Sequence, residues 1–162
     1  MGGVTGAPST MSDPPLTPRR RLPDVALPLL AGGGDVPLRA HRRASVLFLL
    51  DGIPGEREGE YLRQLADAEP ALRDWDGRVL VVVAGDGAAV RAALEAQQLP
   101  LPVLADPERA VLRAAAVVAP ALVVADQWGE VHVATQPGPG ERWLPVAEVE
   151  QWLRFLAVRC AG

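Results

Sequence analysis

Apolar residues fall along this chain in two patterns. Val46-Leu47-Phe48-Leu49-Leu50 and Val79-Leu80-Val81-Val82-Val83 are unbroken runs bounded by turn residues, the signature of strands covered on both faces. Elsewhere apolar positions recur every third or fourth residue: Leu62, Leu65 and Ala66, then Val90, Ala93 and Leu94, then Val146, Val149, Trp152, Leu153 and Leu156. Each of these spacings predicts a helix with one face turned to a sheet.

Turn chemistry places the rest. Val25–Leu30 and Val36–Leu38 flank Ala31-Gly32-Gly33-Gly34-Asp35 and read as a short hairpin. After the first buried strand comes the loop Asp51-Gly52-Ile53-Pro54-Gly55 and a charged helix from Glu56, which Pro70 ends or restarts. Asp76-Gly77 is a turn, and Gly85-Asp86-Gly87 leads into a helix over Ala88–Gln97. Leu101–Ala105 is a short strand or extended link. Asp106 reads as an N-cap with Pro107 in the first helical position, opening a helix over Glu108–Ala115. Ala121–Ala125 and Glu130–Ala134 pair across Asp126-Gln127-Trp128-Gly129, and Pro145 opens the closing helix. The class is α/β: a central mixed sheet flanked by helices, with an N-terminal β-hairpin. Residues 1–20, rich in Gly, Pro, Ser and Thr and without periodicity, are expected to be a disordered lead to one domain over residues 21–160.

Composition narrows the function classes. At 162 residues and 49% hydrophobic, the chain can bury one real core. It contains no Lys and no Asn. Residues 1–43 carry six Arg against three Asp, and the remainder ten Arg against seventeen acids; an acidic folded part argues against nucleic-acid binding. No apolar run approaches a membrane span. Arg19-Arg20-Arg21 ahead of Val25–Leu30 has the outline of a twin-arginine export signal, but Pro23, Asp24 and Pro28 break the apolar segment and no A-x-A site follows. With Cys160 as the single cysteine, no intrachain disulfide can form, and a cytoplasmic location is expected.

Five segments in order resemble the thioredoxin-like superfamily, specifically its peroxiredoxin type (alkyl hydroperoxide reductase and thiol-specific antioxidant). They are Leu22-Pro23-Asp24-Val25-Ala26-Leu27, Val36-Pro37-Leu38, Val46–Leu50, Leu101-Pro102-Val103-Leu104-Ala105-Asp106-Pro107-Glu108, and Pro120–Val131. The resemblance implies a thioredoxin-like fold and an ancestry in thiol-dependent reduction of peroxides or disulfides. It also implies that the reactive thiol would lie where the strand Val46–Leu50 gives way to the next helix, whose amino end would lower its pKa. There this chain has Gly55-Glu56-Arg57-Glu58. Gly55 marks the place of the Cys-x-x-Cys pair and Glu58 that of the peroxiredoxin cysteine. A carboxylate cannot pass through the sulfenate step, so the site is expected to be degenerate. Pro120 matches the family's cis-proline.

The reading is therefore a domain of oxidoreductase ancestry that has lost thiol chemistry and binds a protein or small ligand over the groove near Ile53, Pro54 and Pro120. A cleft lined by Arg57 and helix N–H groups would suit an anion. The alternative is a peroxidase or disulfide reductase that uses Cys160. A third reading is a homodimer assembled through the apolar hairpin edge. Other motifs point elsewhere only weakly. Leu50–Gly55 resembles a receiver-domain phospho-acceptor turn, yet there is no Lys. Gly85-Asp86-Gly87 lacks the third glycine of a dinucleotide loop, and the acid twenty residues on, Asp106, serves as a cap. His41 and His132 look isolated, so no metal and no cofactor is expected. Trp75, Trp128, Trp143 and Trp152 suit core and rim packing better than a ligand cage, although Trp128 and Trp143, near loops, could form an exposed patch.

Overall fold

The structure, a computed structural model, describes residues 20–161, with side chains through Arg159. The expected lead lies outside the described residues except for Arg20. Eleven elements follow one another: β1 (Ala26–Pro28), β2 (Asp35–Pro37), β3 (Ala44–Leu50), α1 (Glu56–Arg73), β4 (Gly77–Val83), α2 (Gly87–Ala96), β5 (Val103–Ala105), α3 (Ala110–Ala115), β6 (Ala121–Ala125), β7 (Val131–Thr135) and α4 (Val146–Ala161). β1 and β2 pair antiparallel through a turn in which Gly32, Gly33 and Gly34 all take positive φ, between 86° and 111°. Only glycine does this without strain.

The main sheet has the order β5-β4-β3-β6-β7. β3, β4 and β5 run parallel, while β6 runs antiparallel to β3 and β7 antiparallel to β6. The mixed sheet and N-terminal hairpin match the pattern of the sequence. Alternation along each strand separates two cores. Val46, Phe48, Leu50, Val79, Val81, Val83, Leu122 and Val124 face α1, α2 and α4. Leu47, Leu49, Leu80, Val82, Val123 and Ala125 face α3 and the N-terminal segment. Filling both faces is what makes β3 and β4 unbroken apolar runs.

Several boundaries differ from the sequence reading, each for a local reason. α1 runs straight through Pro70 to Arg73. Fully buried Leu72 and the Glu69–Arg73 contact (Nε to Oε2, 3.2 Å) hold the turn beyond the missing N–H. α3 begins at Ala110, not Glu108, and Pro107 is not its first residue. Asp106 still caps it, but from farther back: its Oδ1 and Oδ2 accept the N–H groups of Ala110 and Val111 at 3.0 and 2.9 Å. Arg109, at φ 59°, makes the intervening turn left-handed. Trp143 forms no exposed patch with Trp128. Its ring lies 5.0 Å from Phe48 and 5.3 Å from Tyr61, inside the core, while Trp128 alone is exposed.

Candidate functional site

The corner between β3 and α1 is where the family resemblance leads one to expect a degenerate thiol site. Two glycines shape it. A Cβ on Gly85 would lie 2.1 Å from the Asp51 carbonyl oxygen, so the end of β4 can press on the corner only without a side chain. Ala84 N–H donates to the Leu50 carbonyl at 2.8 Å, locking the strand ends together. A Cβ on Gly52 would meet nothing within 4 Å, and Ile53 beside it is 63% exposed. The Gly85-Asp86-Gly87 stretch is a strand-to-helix joint: the Asp86 carboxylate caps α2 at Ala89 N, and Gly87 backs onto Leu30.

Gly55 precedes α1 without any side-chain cap. Glu56 and Glu58 occupy the first turn, and the Glu58 side chain, 15% exposed, folds back toward Gly55. Carboxylates thus take the favourable end of the helix dipole, where a thiolate would otherwise gain stabilisation. Arg57 does not line an anion cleft. Its guanidinium donates to the carbonyls of Glu141 (2.9 Å), Gly138 (3.3 Å) and Pro137 (3.3 Å), clasping that loop to the helix. The cleft around this clasp mixes Glu56, Glu60 and Glu141 with Arg57 and Arg142. One turn on, Tyr61 donates its hydroxyl to the Leu144 carbonyl at 2.5 Å, and burial pushes its pKa well above the usual phenol value.

Across the corner the Ala119–Pro120 peptide is cis. Beside it lies a groove of about 360 Å³ lined by Asp51, Arg109, Leu112, Arg113, Val118 and Ala119. Val118 is 65% exposed, and the Arg109 guanidinium has no hydrogen-bond or ion-pair partner among the described residues. Gly55, Glu58 and Pro120 therefore share one end of the sheet. Cys160 does not join them by the course of the backbone: one turn before it, Leu156 and Ala157 line a crevice with Ala44, Trp75 and Asp76, at the start of β3. The seven residues of β3 put roughly 20 Å between that end and the corner.

The opposite end also holds a cluster that the sequence reading missed. His132 is not isolated. Its Nε2 lies 2.9 Å from Asp126 Oδ2 and 3.8 Å from Glu130 Oε1, with the His132 and Asp126 side chains 2% and 1% exposed. Asp126 Oδ1 also accepts the N–H groups of Trp128 and Glu130, both at 2.9 Å. A register shift opposite Val124 and Ala125 brings His132 to this position. Three ligand-type atoms lie within 4.8 Å of one another. The Asp126 carboxylate, however, is already committed to three donors that hold the hairpin, which is a structural arrangement.

Neither a protein-family model nor a curated protein sequence matches the chain. Solved structures do. AhpC of Enterococcus faecalis superposes with a TM-score of 0.70 at 15% identity, over 85% of this chain and 90% of that one. A peroxiredoxin-like protein of Aquifex aeolicus gives 0.68 at 13% identity, over 85% and 86%. A thioredoxin-like protein of Porphyromonas gingivalis gives 0.64 at 18% identity, over 88% and 95%. The fold is thioredoxin-like, and the chain has one cysteine, Cys160. No helix among the described residues is long and apolar enough to cross a membrane.

Proposed function

We propose that this chain is a redoxin-type domain that has given up thiol chemistry and works as a recognition module. Its binding site is the groove beside Pro120. One observation carries the reading: from Asp51 to Tyr61 there is no Cys, Ser, Thr, His or Lys, yet the groove that Asp51 lines is open and has exposed Val118 in its wall. Binding features have outlasted any nucleophile. A partner segment in extended conformation, with an acidic side chain for Arg109 beside an apolar one for Val118, fits the lining.

Two measurements test it. Hydrogen peroxide consumption with dithiothreitol should stay at the buffer rate for the wild type and for Cys160→Ala alike. A Cys160-dependent rate well above buffer would overturn the reading in favour of a thiol peroxidase. Peptides selected from a displayed library on the intact chain should bind Arg109→Ala and Val118→Asp at least about tenfold more weakly, as expected for loss of a charged and an apolar anchor. Equal binding to both variants would remove the groove from the proposal.

A further inference from the structure

Helix α4 buries Val149, Leu153 and Leu156 against the sheet, but its other side is not a polar, solvated face. Glu148, Gln151, Trp152, Phe155, Val158 and Arg159 fall at successive steps of three, one, three, three and one residues, which aligns them as one stripe. Phe155 is 50% and Val158 68% exposed. The half-buried Trp152 ring meets Phe155 edge-on at 5.9 Å. A depression of about 250 Å³ runs along Glu148, Gln151, Trp152 and Phe155. The stripe carries opposite charges at its ends, Glu148 in the first turn and Arg159 in the last. Neither has an ion-pair partner among the described residues. Arg159 lies over the Phe155 ring of its own helix at 5.7 Å, while Arg154 on the neighbouring face has Glu150 at 3.8 Å and the Trp75 ring at 5.0 Å.

Such a stripe is complementary to itself. Two α4 helices laid antiparallel about a twofold axis between Leu153 and Arg154 bring Trp152 opposite Phe155 of the second copy. The same register brings Glu148 opposite Arg159 of the second copy, at both ends of the contact. We infer that this face of α4 is the interface between two copies of the chain, each Phe155 seating in the depression beside the other's Trp152. Aromatic anchors at the centre with charges at the rim are the usual division of labour in an interface. From Glu148 to Arg159 the helix runs about 17 Å. A helix pair of that length falls short of the ~800 Å² per partner of a standard interface, so the dimer is reversible and depends on concentration.

Sedimentation equilibrium of the intact chain from about 1 to 500 μM, the range in which so small an interface would populate, tests this. The weight-average mass of the wild type should climb from one chain toward two. Phe155→Glu, at an exposed position that leaves the fold and its circular dichroism unchanged, should weaken association by about a hundredfold or more. Glu148→Arg and Arg159→Glu should each weaken it by about threefold to tenfold, and together restore it to within about twofold of wild type. A wild type that stays monomeric throughout overturns the inference. So does association that survives Phe155→Glu, which would put the contact at the hairpin edge or the corner, or a double reversal no better than either single one.

Discussion

Where β3 ends, the chain turns through Asp51-Gly52-Ile53-Pro54-Gly55, with Ile53 exposed and no side chain capping the helix that follows. At the other end of the same sheet, where β6 ends, Asp126 is 1% exposed and both its oxygens are taken, by two backbone N–H groups and by His132. The first end is accessible but holds no nucleophile. The second holds an acid and an imidazole in contact but is sealed by packing. Access and the acid–imidazole pair thus lie at opposite ends of the sheet. The buried polar groups stabilise the hairpin, and the open corner is the end to which the proposed recognition role is assigned.

The largest test of that contrast is Asp126→Ala. It strands the N–H groups of Trp128 and Glu130 and removes the His132 contact. Leaving buried donors unsatisfied should cost about 3 kcal/mol in urea unfolding, with Asp126→Asn costing about half as much. A loss below about 1 kcal/mol would mean that the hairpin does not depend on this carboxylate. A smaller effect separates two glycines at the open end. Gly85→Ala must push the Asp51 carbonyl away, for about 2 kcal/mol, whereas Gly52→Ala meets no atom and should change stability by less than about 0.5 kcal/mol. Similar losses from both substitutions would show that the corner is tightly packed throughout, against the picture of an accessible end.

The sequence displays some of this contrast openly. Unbroken apolar runs located β3 and β4, and the glycine-rich stretch located the first hairpin, because burial on two faces and positive φ leave direct traces in residue type. That Gly55-Glu56-Arg57-Glu58 contains no sulfur is read directly from residue type. What stayed hidden depends on backbone partners or on shifts of register. Arg57 could have faced a ligand; its acceptors are carbonyls some eighty residues away, and a carbonyl has no residue-type signature. The start of α3 was misplaced because Asp106 caps over a left-handed Arg109, a conformation that arginine does not advertise. His132 looked like one more alternating strand residue until the register shift brought it to Asp126.

Alkaline pH probes the two ends of the molecule separately, through the only Tyr in a chain that has no Lys. Near the corner, Tyr61 is buried and points its hydroxyl at a carbonyl oxygen, so the folded state keeps the phenol proton beyond the pH at which the unfolded chain loses it. Stability is therefore lost as pH rises above about 10. At the other end, burial and then the neighbouring Arg43 lower the Arg78 pKa from the usual guanidinium range to about 10. The folded state releases that proton first, so this destabilising contribution, full below pH 10, is relieved as pH rises. The two slopes oppose each other between pH 10 and 12. Tyr61→Phe should cost about 1 kcal/mol at pH 7 for its hydrogen bond, then gain stability relative to wild type as pH rises above 10. Arg78→Gln should lose stability more steeply than wild type over the same range. In the wild type, the phenolate absorbance at 295 nm should appear together with unfolding instead of near pH 10; a simple titration at pH 10 in the folded protein would mean that Tyr61 is not sealed beneath the loop that Arg57 holds.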